Sequence, residues 1–542
     1  MNDTSGQLKL PGGWTWAKLN QITEVIRGAS PRPKGDPRFF GGDIPWIMIS
    51  DVTKEKGKFI SKTRDTVTKD GAERSRYLPS GTLILSNSGT VCVPKILAVD
   101  GCIHDGFVAF PNLTDQLEML YLFYYFDQIR PKMIQENRQG VTQVNLNTDI
   151  VKNIDVPLPP LYEQQRIVAK IEELFTKLDA GVDALKKALA HLKRYRQTLL
   201  KAAVTGDLTR EWRESQRGEL EPAAHLLARI LQERRARWEA DQLGKMQAAD
   251  TPPKDDDWKQ RYQEPAAPDT SELPELPEGW IWTRAEQLCG FITKGTTPAA
   301  NKLFSEYGEI PFIKVYNLTH VGLLDFTVKP TFVSQETHRG ELARSKVSPG
   351  DVLMNIVGPP LGKVSIVPDT HEEWNINQAV AVYRPMPSFD RKYLSICLLT
   401  GEIQSWAERR AKATAGQFNL TLEICRDLPL PLPTLLEQQQ IVLEVERLLS
   451  VADATEETIA RSLKQAERMR QSILQQAFAG KLVPQDPADE PASSLIERIR
   501  EERAREAEVN PKQKRKSEKP KSTSQKHKSN KRKQAAQTSF IT

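Results

Sequence analysis

The chain of 542 residues is a tandem duplication, and no other feature of the sequence constrains its fold as strongly. Segment 157–208 returns without a gap at 431–482, with 21 of 52 positions identical. Shorter matches precede both copies in the same order: 10–16 with 276–282, 28–31 with 295–298, 42–47 with 308–313, and 143–146 with 417–420. A unit of roughly 240 residues is far longer than a solenoid repeat. The duplication therefore predicts two similar units in a pseudo-twofold arrangement.

The part of each copy that has diverged is typical of a mixed α/β domain. Short runs of β-branched and aromatic residues between turn residues predict strands at 46–49, 82–85, 107–110, 352–357 and 364–367. Segments 117–137 and 393–411 have the pattern of helices that pack on those sheets. We therefore expect an α+β fold in which two mixed α/β domains are separated by two long helices.

The part that has been retained predicts a long helix in each copy. Apolar residues recur every seven positions: Ile171, Leu178, Leu185, Leu192 and Leu199 in one helix, and Val445, Ala452, Ile459, Ala466 and Ile473 in the other. A second row is predicted between them at Leu174, Ala188, Tyr195, Leu448 and Met469. Such a stripe is typical of a coiled coil. We expect the two helices to pair antiparallel; the alternative is two unrelated amphipathic helices, each buried in its own domain.

The boundaries of these segments follow from the repeats and from changes in composition. Thr434 and Glu437 form a T-x-x-E pattern that predicts a capping box at the start of the second long helix. The predicted segments are a first domain at 8–155, a first spacer helix at 156–208, a charged helical and linker region at 209–272, a second domain at 273–430, a second spacer helix at 431–485, a charged helix at 486–509 and a basic disordered tail at 510–542.

The net charge of +6 is a property of the tail. Residues 510–542 carry 11 basic side chains and one acid, or +10, so the remaining chain carries 6 − 10 = −4. DNA binding therefore has to be argued from local patches. The tail would add salt-sensitive DNA affinity that does not depend on sequence; the alternative is a solubilising extension.

The sequence lacks the usual signatures of catalysis. Its five cysteines are dispersed and never spaced as CxxC, and its seven histidines have no metal-ligand spacing. We therefore expect no metal site and no catalytic residues, and cysteines that suit a reducing cytoplasm.

The duplicated order of L-P-x-G-W, G-x-[ST]-P and P-L-P-x-x-x-E-Q-x-x-I motifs resembles the DNA specificity subunit of type I restriction-modification enzymes. The resemblance implies that the diverged domains are target recognition domains, each reading one half of a split, asymmetric DNA sequence. The long helices would set the gap between the halves. It also implies partners: double-stranded DNA, two methyltransferase subunits that bind S-adenosylmethionine, and motor-nuclease subunits that use ATP and Mg²⁺. This chain would bind no cofactor itself.

Residues for DNA contact are chosen from basic and polar loops, because cations neutralise phosphates and Arg, Asn and Gln read base edges. The candidates are Arg27, Arg32, Lys34, Arg38, Ser86, Asn87, Ser88, Gln143, Asn145, Lys294, Thr296, Thr297, Asn355, Lys363, Gln417 and Asn419. For the Gln and Asn residues of 143–145 and 417–419, structural capping is the alternative. Trp14, Trp16, Trp280 and Trp282 are expected to anchor each domain rather than to stack on bases. The alternative function is a coiled-coil scaffolding adaptor with protein-binding end domains.

Overall fold

The computed structural model describes residues 9–509 except 56, 112, 114–116, 140–142, 145, 254, 359 and 415–416. Side chains are also not described at 138–139, 143–144, 412–414, 417–418 and 506–509. The basic tail, predicted to be disordered, lies outside the described residues.

The chain divides into two compact units, and each takes segments from both copies of the repeat. The first unit comprises Met1–Asp183 and Leu463–Thr542, and the second comprises Ala184–Ser462. The first therefore contains the first diverged domain, the beginning of the first long helix and the end of the second long helix. The second unit contains the second diverged domain, the end of the first long helix and the beginning of the second long helix. Neither copy of the repeat is by itself a compact unit.

The first diverged domain contains two mixed sheets. One has the strand order Ile26–Arg27, Phe107–Phe110, Leu83–Ser86, Pro94–Leu97 and Phe59–Ile60, and the other Asp65–Val67, Phe40–Ile47, Gly101–Ile103 and Arg76–Leu78. Two-stranded pairs join Thr15–Lys18 to Asp155–Leu158 and Arg138–Gln139 to Gln143–Val144. The helices are Leu19–Ile22, Ile49–Lys54, Lys69–Glu73, Met119–Glu136 and Thr148–Lys152.

The second diverged domain repeats this plan with different loops. One sheet has the order Cys289–Lys294, Val380–Pro385, Val352–Asn355 and Val364–Ile366, and the other Phe304–Ser305, Thr331–Val333, Ile310–Ile313, Trp374–Ile376 and Lys346–Val347. Smaller sheets pair Ile281–Arg284 with Pro429–Leu432, and join Val357–Gly358, Gln417–Asn419 and Lys412–Thr414. The α-helices are Ala285–Leu288, Gln335–Arg339, Arg391–Leu399, Gly401–Arg410 and Leu422–Asp427, and the 3-10 helices are Ala300–Lys302, Val315–Asn317 and Ala343–Ser345.

These elements confirm the predicted α+β class, but several predicted elements differ in detail. The strand expected at 46–49 ends at Ile47 and a helix begins at Ile49, and the strand expected at 352–357 is interrupted at Ile356. The single helix expected at 393–411 is two helices, because Thr400 takes an extended backbone between them. Its hydroxyl donates a 2.7 Å hydrogen bond to the carbonyl of Cys397, which satisfies the end of the first helix. The second helix then begins at Gly401.

The two long helices, Leu161–Thr205 and Leu435–Phe478, carry the predicted apolar row. All ten residues of that row are buried or half-buried. The predicted second row is partly wrong, since Ala188, Tyr195 and Met469 are exposed. The positions next to them along the chain, Leu189, Arg196 and Arg470, are half-buried instead. At these three places the half-buried position lies four residues after the first row instead of three, because residues three and four apart both lie on the same helix face.

In each unit the two long helices run antiparallel, as predicted. In the second unit Arg196 bonds Asp453 at 2.6 Å and Glu456 at 2.8 Å, while Leu200 packs in the same core as Val445. In the first unit Arg470 pairs with Asp179, and its guanidinium lies over the ring of Phe175. The two Arg–Asp pairs match each other in the duplicated alignment. Each copy of the repeat thus supplies the arginine of one pair and the aspartate of the other.

Charged helices complete each unit. Arg210–Ser215 and Ala223–Ala248 follow the first long helix, with a 3-10 turn at Asp257–Arg261, and Ala492–Val509 follows the second. Leu226 and Ile230 are buried in the core of the second unit, and Leu495 and Ile499 in that of the first. Across the described residues, none of the helices combines the length and apolarity needed to cross a membrane.

Candidate nucleic-acid interface

Each diverged domain is attached to a long helix by a buried tryptophan–glutamate hydrogen bond. The indole N–H of Trp14 donates to Glu163 at 3.0 Å, and that of Trp280 donates to Glu437 at 2.8 Å. Both tryptophans are buried, which supports the anchoring role predicted for them. Burial is also the largest influence on Glu163, whose pKa it raises.

The predicted capping box at the second long helix is correct for Thr434 and wrong for Glu437. The Thr434 hydroxyl accepts from the backbone N–H of Glu437 at 3.1 Å. The Glu437 carboxylate instead accepts hydrogen bonds from Trp280, from the Thr209 hydroxyl at 2.8 Å and from Arg213 at 2.6 Å. Charged and indole donors satisfy a buried carboxylate better than one backbone N–H would.

The glutamine that follows each of these glutamates makes a second attachment. Gln164 accepts from the backbone N–H of Glu118, the N-cap of Met119–Glu136, at 3.0 Å. Gln438 accepts from that of Asp390, the N-cap of Arg391–Leu399, also at 3.0 Å. Both amides are fully buried and also donate to a proline carbonyl. The E-Q motif therefore orients a helix of each domain, a role that the sequence did not indicate.

In the first domain, two predicted DNA-contact residues, Arg27 and Arg32, meet around Asp105 together with Ser30. The Ser30 side chain and those of Arg27 and Arg32 converge there: Ser30 donates to the carboxylate at 2.5 Å, Arg27 to the backbone carbonyl at 3.2 Å, and Arg32 lies 3.8 Å from the carboxylate. The serine hydroxyl is the largest influence that lowers the pKa of Asp105. Both arginines are exposed, as is Lys34. This exposed cationic loop fits the predicted contact with phosphates.

Arg38 is exposed but engaged within the domain. It bonds Asp36 at 2.6 and 3.1 Å, and this hydrogen bond lowers the pKa of Asp36 to about 2. Arg38 and Arg74 both lie over the ring of Phe39. Lys58, another cation of this domain, bonds Glu172 of the first long helix at 2.7 Å. Some cations of the first domain are thus engaged in contacts within the protein.

Ser86 and Asn355 are equivalent residues that hold equivalent loops. Ser86 is buried; its hydroxyl donates to the carbonyl of Thr90 and accepts from the N–H of Val93 at 2.9 Å. Asn355 is buried too; its amide donates to the carbonyl of Pro360 at 2.9 Å and accepts from the N–H of Lys363 at 2.8 Å. These bonds account for both side chains within the protein. DNA contact by them stays a prediction.

The other candidates occupy the same loop regions. Asn87 is buried and Ser88 half-buried, beside the turn that contains Gly106. In the second domain Lys294 and Thr297 are exposed, while Thr296, Lys363 and Asn419 are half-buried. Gln143 and Gln417 lie on strands, but their side chains, like the whole of Asn145, lie outside the described residues. The strand Gln417–Asn419 pairs with Val357–Gly358, and beside this pair the backbone N–H of Leu420 donates to the carbonyl of Ile356 at 2.9 Å.

Two chemical features of the described residues concern metal ligands and thiols. Throughout the described part of the chain, no group of three or more His, Cys, Asp or Glu side chains is placed to hold a metal ion. All five cysteines are buried and free. Burial raises the pKa of Cys92 to about 12 and that of Cys425 to about 11, so these thiols stay protonated at neutral pH.

The sequence of this chain is similar to those of known proteins. Residues 11–189 and 277–465 both match the family described as the type I restriction modification DNA specificity domain. The type I restriction enzyme EcoBI specificity subunit of Escherichia coli is 28% identical over 384 residues, which cover 68% of this chain and 69% of that protein. The EcoDI specificity subunit of Escherichia coli is 24% identical over 505 residues, covering 92% and 96%.

A solved structure shares the fold. It comes from a study of complex assembly and conformational transition of the type I R-M system, and it is similar with a TM-score of 0.60 at 20% identity, covering 88% of this chain and 100% of that one. The family match supports the role in DNA recognition over the scaffolding adaptor that the sequence left as an alternative. The chain belongs to the family of type I restriction-modification DNA specificity subunits.

Proposed function

We propose that the chain recognises a split, asymmetric DNA sequence, with each diverged domain reading one half. One observation carries this proposal: the attachments of the two domains are duplicated while their exposed loops are not. Trp14–Glu163 and Trp280–Glu437 are equivalent hydrogen bonds. The exposed loops of the two domains differ in sequence and in charge. A common framework that carries two dissimilar loop sets suits the reading of two dissimilar half-sites.

The test is an exchange of one domain. Residues 10–155 are replaced by the same segment of a relative with a known target, and the full chain is purified with its methyltransferase. Selection from a random-sequence duplex pool should then show a new sequence in one half-site and the original in the other. A simultaneous change of both halves would contradict independent reading. Wild-type protein that selects no sequence at all would overturn the proposed function.

We propose further that methyltransferase subunits dock on the long helices. Leu436, Leu443 and Val451 are 60%, 61% and 58% exposed and share one face of the second long helix, seven and eight residues apart. Tyr162, which corresponds to Leu436 in the repeat, is 66% exposed on the first long helix. Exposed apolar side chains in a row are typical of a partner surface.

A charge placed in this row should prevent docking. Leu443→Glu is expected to abolish co-purification with the methyltransferase, because a buried unpaired carboxylate opposes association. Arg461→Ala, on the same helix and also exposed, is the matched control and should co-purify normally. Unchanged co-purification of Leu443→Glu would place the docking surface elsewhere.

The proposed complex assigns all chemistry to its other subunits. In it, S-adenosylmethionine binds the methyltransferases, and ATP with Mg²⁺ binds motor-nuclease subunits. We propose that this chain supplies recognition alone. Equilibrium dialysis of the purified chain against labelled S-adenosylmethionine should show no retention, and saturable retention would contradict this division of roles.

A further inference from the structure

His104 and Asn377 occupy the same place in the two domains. Each directly follows the last residue of a strand, Gly101–Ile103 or Trp374–Ile376. The backbone N–H of His104 donates to the carbonyl of Ile47 at 3.4 Å, and that of Asn377 donates to the carbonyl of Ile313 at 3.0 Å. The two acceptor carbonyls belong to matching residues of the repeat. The sequence alone does not reveal this equivalence, because a histidine and an asparagine do not align by similarity.

The glycine of each G-x-[ST]-P motif packs directly on this residue. A Cβ on Gly28 would lie 2.0 Å from the carbonyl oxygen of His104, and a Cβ on Gly295 would lie 2.1 Å from that of Asn377. Only glycine permits so close an approach. The residue before each glycine is an exposed cation proposed above to contact phosphates. The motif therefore places a cation beside His104 in one domain and beside Asn377 in the other.

The imidazole of His104 has a donor that the protein does not use. The backbone N–H of Gly106 donates to Nδ1 at 2.7 Å, and Oδ1 of Asp105 lies 3.4 Å from the same nitrogen. The shorter contact makes Nδ1 an acceptor, so in the neutral ring the proton is on Nε2. Burial is the largest influence that lowers the pKa of His104, which favours the neutral ring. Nε2 is buried and has no hydrogen-bond partner among the described residues.

The corresponding side chain in the second domain has an unused acceptor. Oδ1 of Asn377 is buried and likewise lacks a partner within the described part of the chain. In the first domain Oδ1 of Asn87 is also buried and has no hydrogen-bond partner among the described residues. The backbone N–H of Asn87 donates to the carbonyl of Gly106 at 2.9 Å. Ile356, which takes the place of Asn87 in the second domain, has no such group. Buried polar atoms without partners are rare in proteins and are expected to have a role.

We propose that His104 and Asn377 are specificity-determining residues, each of which turns its unpartnered polar atom toward a base in the half-site of its own domain when duplex binds. That atom is buried in the free chain, but the His104 side chain is 12% exposed and Asn377 is half-buried, so each side chain reaches the surface. The proposal rests on the DNA-recognition function proposed above. A histidine N–H donor suits a purine acceptor such as N7 or guanine O6, whereas an asparagine amide suits N6 and N7 of adenine. Different hydrogen-bonding groups at one position of a shared framework allow the two domains to prefer different bases.

The experiment exchanges the two residues in the full chain purified with its methyltransferase. His104→Asn and Asn377→His are each selected against a random-sequence duplex pool, beside the wild type. We expect each variant to lose about tenfold or more of its preference at one base pair, because a direct base contact is lost or altered. His104→Asn should change one half-site only, and Asn377→His should change the other. Binding to duplex of unrelated sequence at low salt should stay the same.

The control is His225→Asn, at an exposed histidine on the helix Ala223–Ala248. It should select the wild-type sequence. If His104→Asn does not fold, as a thermal melt would show, His104→Gln answers the same question with a longer amide. Folded variants that select the wild-type sequence at wild-type preference overturn the proposal, while the wild type still supports the proposed function. Wild-type protein without any preference would instead overturn that function.

Discussion

The indole N–H of Trp280 donates a 2.8 Å hydrogen bond to the carboxylate of Glu437, which lies 157 residues further along the chain. The same contact joins Trp14 to Glu163 at 3.0 Å. Each bond connects the beginning of a diverged domain to the first turn of the long helix that follows it. The domain between them is thereby closed at its base. Its loops can change without disturbing this connection.

Removing the carboxylate of Glu437 should destabilise the second unit. Glu437 is fully buried and its side chain also binds Arg213, so Glu437→Ala leaves a partly buried guanidinium without its partner. We expect a loss of about 3–5 kcal/mol in the free energy of unfolding. Urea unfolding, with hydrogen exchange of Ile281–Arg284 as a local probe, measures it. Leu436→Ala, at the exposed neighbour, should change stability by less than about 0.5 kcal/mol, and equal effects of the two variants would contradict the role of the carboxylate.

The charged helix near the C-terminal end should be required by the first diverged domain. Ile499 is fully buried in the core of the first unit, and Arg503 donates to the backbone carbonyl of Asn20 at 2.8 Å. Ile499→Ala is expected to cost about 2–5 kcal/mol. Limited proteolysis should then cut between residues 9 and 155 sooner than in the wild type. Arg500→Ala, at an exposed position, is the control, and identical digestion patterns for both variants would contradict the prediction.

Stability should depend on pH through His104. Because burial lowers the pKa of His104 in the folded protein, the unfolded chain binds a proton near pH 6.5 while the folded chain does not. The contribution of neutral His104 to the free energy of unfolding is therefore lost as the pH falls below about 6.5. Asp105 and Asp51 oppose this shift and Lys34 adds to it. His104→Gln should lose less stability than the wild type between pH 7 and pH 5.5 in urea titrations, and parallel losses would show that another group is responsible.

The basic tail should contribute affinity without specificity. Deleting 510–542 removes 11 cations and one acid. We expect weaker binding to non-specific duplex and a shallower dependence of the binding constant on salt, because fewer counterions are released. The selected half-sites should stay the same. Replacing the 11 cations by glutamine should reproduce the deletion if charge is the cause, and a changed base preference in either variant would contradict this assignment.

Local sequence patterns predicted those features that depend on neighbours along the chain. The heptad at Ile171, Leu178 and Leu185 predicted a buried row because residues seven apart share a helix face. The family resemblance rested on the duplicated order of short motifs and is confirmed by the family match. The same reasoning assigned Glu437 the wrong hydrogen-bond partner. The four-residue capping pattern cannot predict a bond to the indole of Trp280, which is 157 positions away.

The amino-acid sequence by itself determined the duplication, the α+β class, the two long helices and the family. Only the tertiary structure decided which residues of the two domains correspond at their loops. His104 and Asn377 became comparable because both donate to matching strands and support matching glycines, and strand pairing joins residues that are distant in sequence. Such pairing depends on the register of backbone hydrogen bonds, which tolerates any side chain that fits. Similarity of residues therefore cannot reveal it.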